Sequence, residues 1–364
     1  MPEPRDAAAD TPMLADIRRQ PDVLAALAAR EAEVAAFGTA HLRAAPGGRV
    51  WVFGSGDGWF AARAALTGAA EGKAASGLDF VVNVAPHLGP DDRALAISMS
   101  GNVDRTLEGA TMALAARAGV SVLTNEGGGR LGALGIDRLS LQIADIAPFL
   151  CGTSSYTATL AALQMAFGDI WPGFAAELTG AMPGLRALPD RAEAFAQTVV
   201  ARLNGTCTGA RFLGVGRSVA TADYAAAKCV EVTRIPAWAD DIEEFAHRQY
   251  WAMQTTELVV LLPTDAATAG YADATADALA DLGVVTVALE PEGAAVPSAA
   301  LRLPLPGGAA LAGITQATAV QMLAYHLGLA SGTNPNLRLH LRNDTARFAV
   351  SRKLTRRLLL GTGQ

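Results

Sequence analysis

Three side chains within the stretch Tyr224 to Tyr250 could move protons: Lys228, Glu231 and His247. A carboxylate and an imidazole brought into one cleft can work in opposite directions, one removing a proton while the other supplies one. Isomerising a sugar carbon requires this pairing. The sequence predicts a helix ending near Arg234 and a break at Ile235-Pro236, where proline cannot continue the ladder. A second, acidic helical turn then runs through Asp240, Asp241, Glu243 and Glu244 and closes on His247. The three groups would sit at the ends of short elements rather than along one apolar face. The same residues also fit a plainer arrangement, with Glu231 a solvated helix residue and His247 a helix-end cation favoured by the macrodipole.

A second candidate stretch is Leu95 to Asn102, LAISMSGN. A strand that ends in Ser98-Met99-Ser100-Gly101 and runs through Asn102 and Val103 into a helix gathers two hydroxyls and several backbone amides at one point. That is enough to hold a phosphate without a basic residue, although such a turn also serves as a simple helix cap. Gly54-Ser55-Gly56-Asp57-Gly58 follows the apolar run Arg49 to Phe53 and precedes an alanine-rich helix, the usual opening of a parallel α/β unit. It is not a dinucleotide fingerprint, because Trp59 takes the final position. Gly68 to Ala74 likewise lacks the spacing and the Ser/Thr of a nucleotide phosphate loop, so no cofactor is expected. Asp57 is the odd member, since a carboxylate beside a phosphate dianion costs about a kcal/mol or more at partial burial. Either it points elsewhere or it faces a cationic substrate group such as an amine. Thr153 and Ser154, in Cys151-Gly152-Thr153-Ser154-Ser155, read as an N-cap cluster for a long helix running on past Met165.

The elements needed to position these groups repeat. In the first half strands are predicted at Arg49–Phe53, Phe80–Val84, Ala94–Ser98, Ser121–Thr124 and Arg138–Gln142. In the second half they fall at Arg211–Val215, Leu258–Leu262, Val284–Leu289 and Leu301–Leu303. Gly54 and Gly214 lie 160 positions apart, and Gly119/Gly283 and Glu126/Glu290 lie 164 apart, a near-constant offset that duplication of one domain would leave. The fold class is therefore α/β, two tandem doubly wound parallel-sheet domains of the flavodoxin-like three-layer type, with ligands at the carboxyl ends of the strands. The expected organisation is a disordered start (1–12), a first domain with a helical entry (13–182), a short proline-bearing link (Pro183 to Pro189), a second domain (190–335) and a C-terminal tail (336–364).

With 364 residues, 51% of them hydrophobic, the chain can bury two cores. A formal net charge of −6 argues against nucleic acid, and the short basic run Arg352 to Arg357 reads as a helix end or subunit contact. Cys151, Cys207 and Cys229 are widely spaced, which fits a reducing cytoplasm, and the five histidines form no metal-ligand pattern. No apolar stretch is long enough to span a membrane, and the acidic, proline-bearing start resembles neither a signal nor a transit peptide.

The Lys228 to His247 segment resembles the second sugar isomerase (SIS) domain of the isomerase half of glucosamine-6-phosphate synthase and its relatives, including fructosamine-6-phosphate deglycases. That family carries A-L-K-L-K-E followed by E-x-x-H. Here Lys228 and Glu231 lie in AAAKCVE, and His247 follows Glu231 by sixteen positions, as in the family. Met13, Ile17, Gln20 and Pro21 match its M-x-x-E-I-x-E-Q-P entry, and Ser98-Met99-Ser100-Gly101 matches its S-x-S-G-x-T phosphate loop. The chain departs from the family at Val103, where threonine is usual, at Asp57, where a hydroxyl is usual, and after His247, where Gly-Pro is replaced by Arg248-Gln249.

The resemblance implies a phosphosugar aldose–ketose isomerase working through an enediol or enolamine. Glu231 would carry the proton, with Lys228 beside it, and His247 would assist ring opening from the neighbouring subunit of a homodimer. Ser98, Ser100 and the amides of Gly101 and Asn102 would hold the phosphate, with Gly56, Asp57, Met99 and Val103 around it. Thr153 and Ser154 would touch the sugar, and Arg342 would stand where a closing lysine is found in the synthase. No glutaminase unit is expected, so glutamine is not the implied nitrogen donor. Deglycation or deamination of an amino-sugar phosphate, and a non-catalytic sugar-phosphate-binding module, are the competing expectations.

Overall fold

A computed structural model describes residues 11–125, 127, 129–144, 151–336 and 345–355. It contains two five-stranded, all-parallel sheets. The first comprises β1 (Val50–Gly54), β2 (Lys73–Ser76), β3 (Arg93–Ile97), β4 (Gly119–Thr124) and β5 (Asp137–Ser140), in the order β2-β1-β3-β4-β5. The second comprises β6 (Ala210–Gly214), β7 (Ala237–Asp241), β8 (Leu258–Leu262), β9 (Val285–Glu290) and β10 (Leu301–Pro304), in the order β10-β9-β8-β6-β7. Read from the opposite edge, the second order matches the first strand for strand. The central strands are covered on both faces, so their sequences are continuous apolar runs; every residue of β8, LVVLL, is buried.

Most predicted strands fall where expected, with two corrections. Phe80–Val84 is a π-helical turn within a helical run from Gly77 to His87, not a strand. Its apolar residues Phe80, Val81 and Val84 are buried while Val82 is exposed, so burial follows a helical face. Phe80 also stacks on Phe53 of β1, with ring centroids 3.7 Å apart. The second strand of this sheet is instead Lys73–Ser76, a short edge segment with little apolar signal. In the second half, Asp240 and Asp241 belong to strand β7, and the acidic helix starts only at Ile242, with the Asp241 carboxylate capping the amide of Glu243. Asp240 is buried and pairs with Arg248, which follows His247 in the chain.

The expected link at Pro183 to Pro189 is not a loop. It lies in the helix Met182–Leu203, where Pro183 occupies the first turn and needs no amide partner. Its buried face, including Leu185, Leu188 and Ala192, packs against the helix Ala312–Ala330.

That last helix is buried nearly all round, as expected of a helix that is apolar on every face. Between it, the helix Ser154–Ala166 and the helix Arg217–Thr233 lies a buried polar network. Tyr156 and Tyr224 stack with centroids 3.5 Å apart. The Tyr224 hydroxyl donates to the Gly152 carbonyl (3.1 Å) and accepts from Gln321 Nε2 (2.8 Å). Gln321 Oε1 in turn accepts from Gln20 Nε2 (2.8 Å), and Gln20 Oε1 accepts from Thr157 (2.8 Å). The helical entry, split into Pro12–Arg18 and Gln20–Ala28, is thereby tied to the centre, with Met13, Ile17 and Gln20 fully buried.

Asp16 of this entry is itself only 3% exposed. It accepts from the Ser154 amide (2.9 Å), the Ser154 hydroxyl (2.8 Å), the Thr153 hydroxyl and Arg19. Removing a charge-bearing acceptor from a buried network leaves its donors unpaired. Asp16→Ala is therefore expected to lower unfolding free energy by about 3–5 kcal/mol in urea titrations, and Asp16→Asn by less.

Candidate functional site

The helix Arg217–Thr233 carries Lys228 and Glu231 three residues apart, on one face of its last turns. It stops at Arg234, whose φ of +64° is left-handed, just before Ile235-Pro236. A carboxylate near a helix C-terminus is disfavoured by the macrodipole, and Lys228 Nζ at 2.7 Å from Glu231 Oε2 offsets that cost. The same ammonium lies 3.0 Å from Asp57 Oδ1 and 3.1 Å from Oδ2. Asp57 belongs to the other half of the chain, at the start of the helix Asp57–Leu66 that follows β1. Asp57 thus faces a cation supplied by the protein itself, an arrangement that neither expectation for it included.

The ammonium is 4% exposed, whereas the two carboxylates are about a third exposed, at 31% and 29%. Burial works against the charged lysine, but Asp57 and Glu231 outweigh it and hold Lys228 protonated above the usual lysine range. Burial, and then Glu231, push the Asp57 carboxyl upward against the pull of Lys228. Two carboxylates around one ammonium carry one formal negative charge in excess. They open on a cleft of about 580 Å³ lined by Gly56, Asp57, Phe60, Gly152, Lys228 and Glu231. Gly56 takes φ +57° to turn β1 into its helix. Gly152 comes so close that a Cβ there would meet Asp57 Oδ2 at 2.8 Å and Ser155 Oγ at 2.7 Å.

The Ser98–Val103 turn leaves β3, the immediate neighbour of β1, at the same carboxyl edge. Ser98 is 4% exposed, and its hydroxyl has no partner among the described residues. Gly101 takes φ +65°, and its amide donates to the Ser98 carbonyl (3.1 Å). The Asn102 amide donates to Ser100 Oγ (3.3 Å), and Asn102 Nδ2 donates to the Ser100 carbonyl (2.8 Å). Met99 is fixed through its carbonyl, which accepts from Thr124 Oγ1 (2.8 Å) and the Asn125 amide (3.1 Å). Val103 stands at the N-cap of the helix Asp104–Ala115 and supplies no side-chain cap. Sequence reasoning missed Arg130, whose backbone amide donates to Asn102 Oδ1 (3.1 Å) and whose guanidinium pairs with Asp104. It brings a cation to a turn expected to need none.

Thr153 and Ser154 are placed in the interior, where both hydroxyls donate to Asp16. The part of that loop that lines the cleft is Gly152. His247 is not brought to Glu231 within one chain. It is absent from the cleft lining, its side chain is 66% exposed, and its Nε2 lies 3.2 Å from Glu243 Oε1. Arg342 and Glu126 lie outside the described residues. Cys151 is buried against Met13, and burial pushes its thiol far up, so it offers no nucleophile. Among the described residues no His/Cys/Asp/Glu group could hold a metal ion, and no helix is long and apolar enough to cross a membrane.

No family model and no curated protein matches the sequence. Solved structures do match. The C-terminal domain of glucosamine-fructose-6-phosphate aminotransferase from Francisella tularensis aligns at TM-score 0.77 and 15% identity, over 90% of this chain and 99% of that one. Tagatose-6-phosphate ketose/aldose isomerase from Escherichia coli aligns at TM-score 0.71 and 19% identity, over 92% and 97%. Glucosamine-6-phosphate deaminase from Thermotoga maritima aligns at TM-score 0.71 and 16% identity, over 90% and 97%. The chain therefore has the two-domain SIS fold that these proteins share.

Replacing Lys228 by methionine would leave two carboxylates from different halves facing each other without their cation. Lys228→Met is expected to cost about 3–5 kcal/mol of stability near neutral pH. Like charges raise carboxyl pKa values in the folded state, and stability carried by such groups is present at low pH and lost as pH rises. The deficit relative to wild type should thus be smaller at pH 5 than at pH 8 in urea unfolding.

Proposed function

We propose that the chain is a phosphosugar aldose–ketose isomerase. The observation that carries this reading is the Lys228–Glu231 pair at 2.7 Å, exposed to a cleft at the carboxyl edge of the first sheet. The Ser98–Asn102 turn lies on the adjacent strand. In this reading Ser98 Oγ and Ser100 Oγ hold the phosphate, the Gly101 and Asn102 amides exchange their bonds within the turn for the phosphate oxygens, and Arg130, paired with Asp104, lies beside them as a cation. The Glu231 carboxylate removes the proton from C2 of the open aldose; the C–H electrons form the C1=C2 bond and the carbonyl π pair moves onto O1, giving an enediolate. The same carboxyl returns the proton to C1 while the O2 proton passes to O1, so that the C2 oxygen becomes the ketone carbonyl and O1 a hydroxyl. Lys228, held protonated, faces the oxygen that gains charge.

Ring opening falls to His247 of a second copy, because within one chain its ring points away from the cleft onto Glu243. An apolar surface beside it supports a partner there: Trp251 is 80% exposed and Tyr271 64%. A second reading, deglycation or deamination of an amino-sugar phosphate, is favoured by one feature. The Asp57 carboxylate leaves the cleft with one formal negative charge in excess, which suits a substrate ammonium.

Glu231→Gln should lower kcat by about 10²–10⁴-fold in protein that is still folded, and should abolish solvent deuterium exchange at C1 of fructose 6-phosphate and at C2 of the corresponding aldose phosphate. Full exchange in Glu231→Gln would sink the mechanism. Release of ammonia or a free amine alongside the sugar would decide for the second reading. If sites are shared, mixing inactive Glu231→Gln with inactive His247→Asn should restore roughly a quarter of wild-type activity through hybrid dimers with one intact site. No recovery after co-refolding would place His247 outside the reaction.

A further inference from the structure

In an open parallel sheet, the crevice for ligands lies where the strand order reverses, outside the carboxyl ends. The first sheet reverses at β1/β3, where the site above is built. The second reverses at β6/β8, and there the structure has a separate cavity of about 350 Å³ between the two halves. It is lined by Gln164 and Trp171 from the first half and by Arg217, Thr221, Asp265 and Gln316 from the second, among others.

Three long helices begin at this cavity: Arg217–Thr233, Ala266–Ala280 and Ala312–Ala330. Their N-terminal amides and dipoles favour negative charge. Arg217 adds a guanidinium with no carboxylate partner among the described residues. Its Nε donates to the Thr67 carbonyl (2.9 Å), and its plane lies 4.3 Å from the centre of the Trp171 ring. Trp171 is itself fixed by its indole N–H on the Ala65 carbonyl (3.0 Å). The Asp265 carboxylate is already spent capping its own helix through the Thr268 amide (2.8 Å).

Two buried amide oxygens complete the lining. Gln316 is fully buried and donates from Nε2 to the carbonyls of Pro263 (2.6 Å) and Leu289 (3.2 Å). Gln164 is 2% exposed and donates from Nε2 to the Ala310 carbonyl (2.8 Å). Those bonds fix both amides, so each Oε1 is an acceptor, and neither has a protein partner among the described residues. A buried acceptor left unpaired is costly, so a cavity holding two of them suits a ligand with hydroxyl donors.

We propose that this cavity is a second small-molecule site, separate from the Lys228–Glu231 cleft, for a polyol carrying a phosphate group. The anionic end would meet Arg217 and the helix N-termini, and the hydroxyls would meet Gln164 Oε1 and Gln316 Oε1. Because the walls come from both halves, occupancy would hold them together and so reach the Asp57–Lys228 contact that also crosses between them.

The test is calorimetric titration of the full chain with sorbitol 6-phosphate, which has no carbonyl to isomerise, with inorganic phosphate and sorbitol as fragment controls. Wild type should bind two equivalents per chain. Arg217→Gln should weaken one class of site about tenfold or more, the usual cost of a charge-assisted contact. Ala309→Glu, which adds a carboxylate at an exposed position on the rim, should do the same without touching the core. If the Lys228–Glu231 cleft is not a sugar-phosphate site, wild type should bind one equivalent that still depends on Arg217. Isotherms that neither substitution alters overturn the proposal, as does sorbitol 6-phosphate binding no tighter here than inorganic phosphate.

Discussion

The candidate cleft depends on one buried ammonium. Lys228 is nearly inaccessible to solvent and survives there only because carboxylates from two different halves of the chain converge on it. This contact therefore does two things at once. It ties the helix Arg217–Thr233 to the helix that follows β1, and it presents Glu231 to a cleft whose facing wall is Gly56, Asp57, Phe60 and Gly152 of the first half. The neighbouring Arg63–Asp223 ion pair and the Arg217 bond to the Thr67 carbonyl run between the same two helices and their turns, so the placement of Glu231 is braced on more than one side.

Behind that contact lies the glutamine and tyrosine network. Tyr224 sits one helical turn before Lys228, and its hydroxyl holds the Gly152 carbonyl in place. Gly152 is the residue whose missing side chain lets the loop approach Asp57. Gln321 and Gln20 extend the chain of bonds to the helical entry. Residues that never touch the cleft thus set the loop that borders it. Buried hydrogen-bonded networks of this kind rigidify a core, because every broken bond leaves a desolvated group behind.

Much of the architecture was legible because fully covered parallel strands are written as apolar runs, and β3, β6, β8 and β9 stand out at once. Edge strands are not written that way. β2 is KAAS and β7 is AWADD, and neither carries the signal, so a helical run at Phe80 and an acidic strand at Asp240 were assigned the wrong type. The helical linker was obscured by prolines that read as punctuation but are tolerated in place. At the site, the spacing of Lys228 and Glu231 on one helix could be read directly. What could not be read was long-range: that Asp57 would meet Lys228, that Thr153 and Ser154 would be consumed by Asp16, and that Arg130 would fold over the Ser98 turn. Each depends on how elements distant in the sequence meet, which local pattern does not encode. Asp57 still announced itself as a carboxylate where a phosphate site should have none.

The two halves use one backbone device with opposite charges. Gly56 and Gly216 have nearly the same conformation, φ/ψ of 57°/−124° and 58°/−115°, and each starts a helix at the edge of its own sheet. The residue that follows is Asp57 in one case and Arg217 in the other. Backbone geometry alone gives each turn the same modest attraction for an anion, so the side chain decides the balance. In the first crevice one ammonium faces two carboxylates, so the cleft keeps an excess of formal negative charge beside Glu231. In the second, the guanidinium has no acidic partner among the described residues and lies over the Trp171 ring. A fold that repeats its topology has thereby been given two electrostatically distinct crevices, one with carboxylates in excess and the other with an unpaired guanidinium among the described residues.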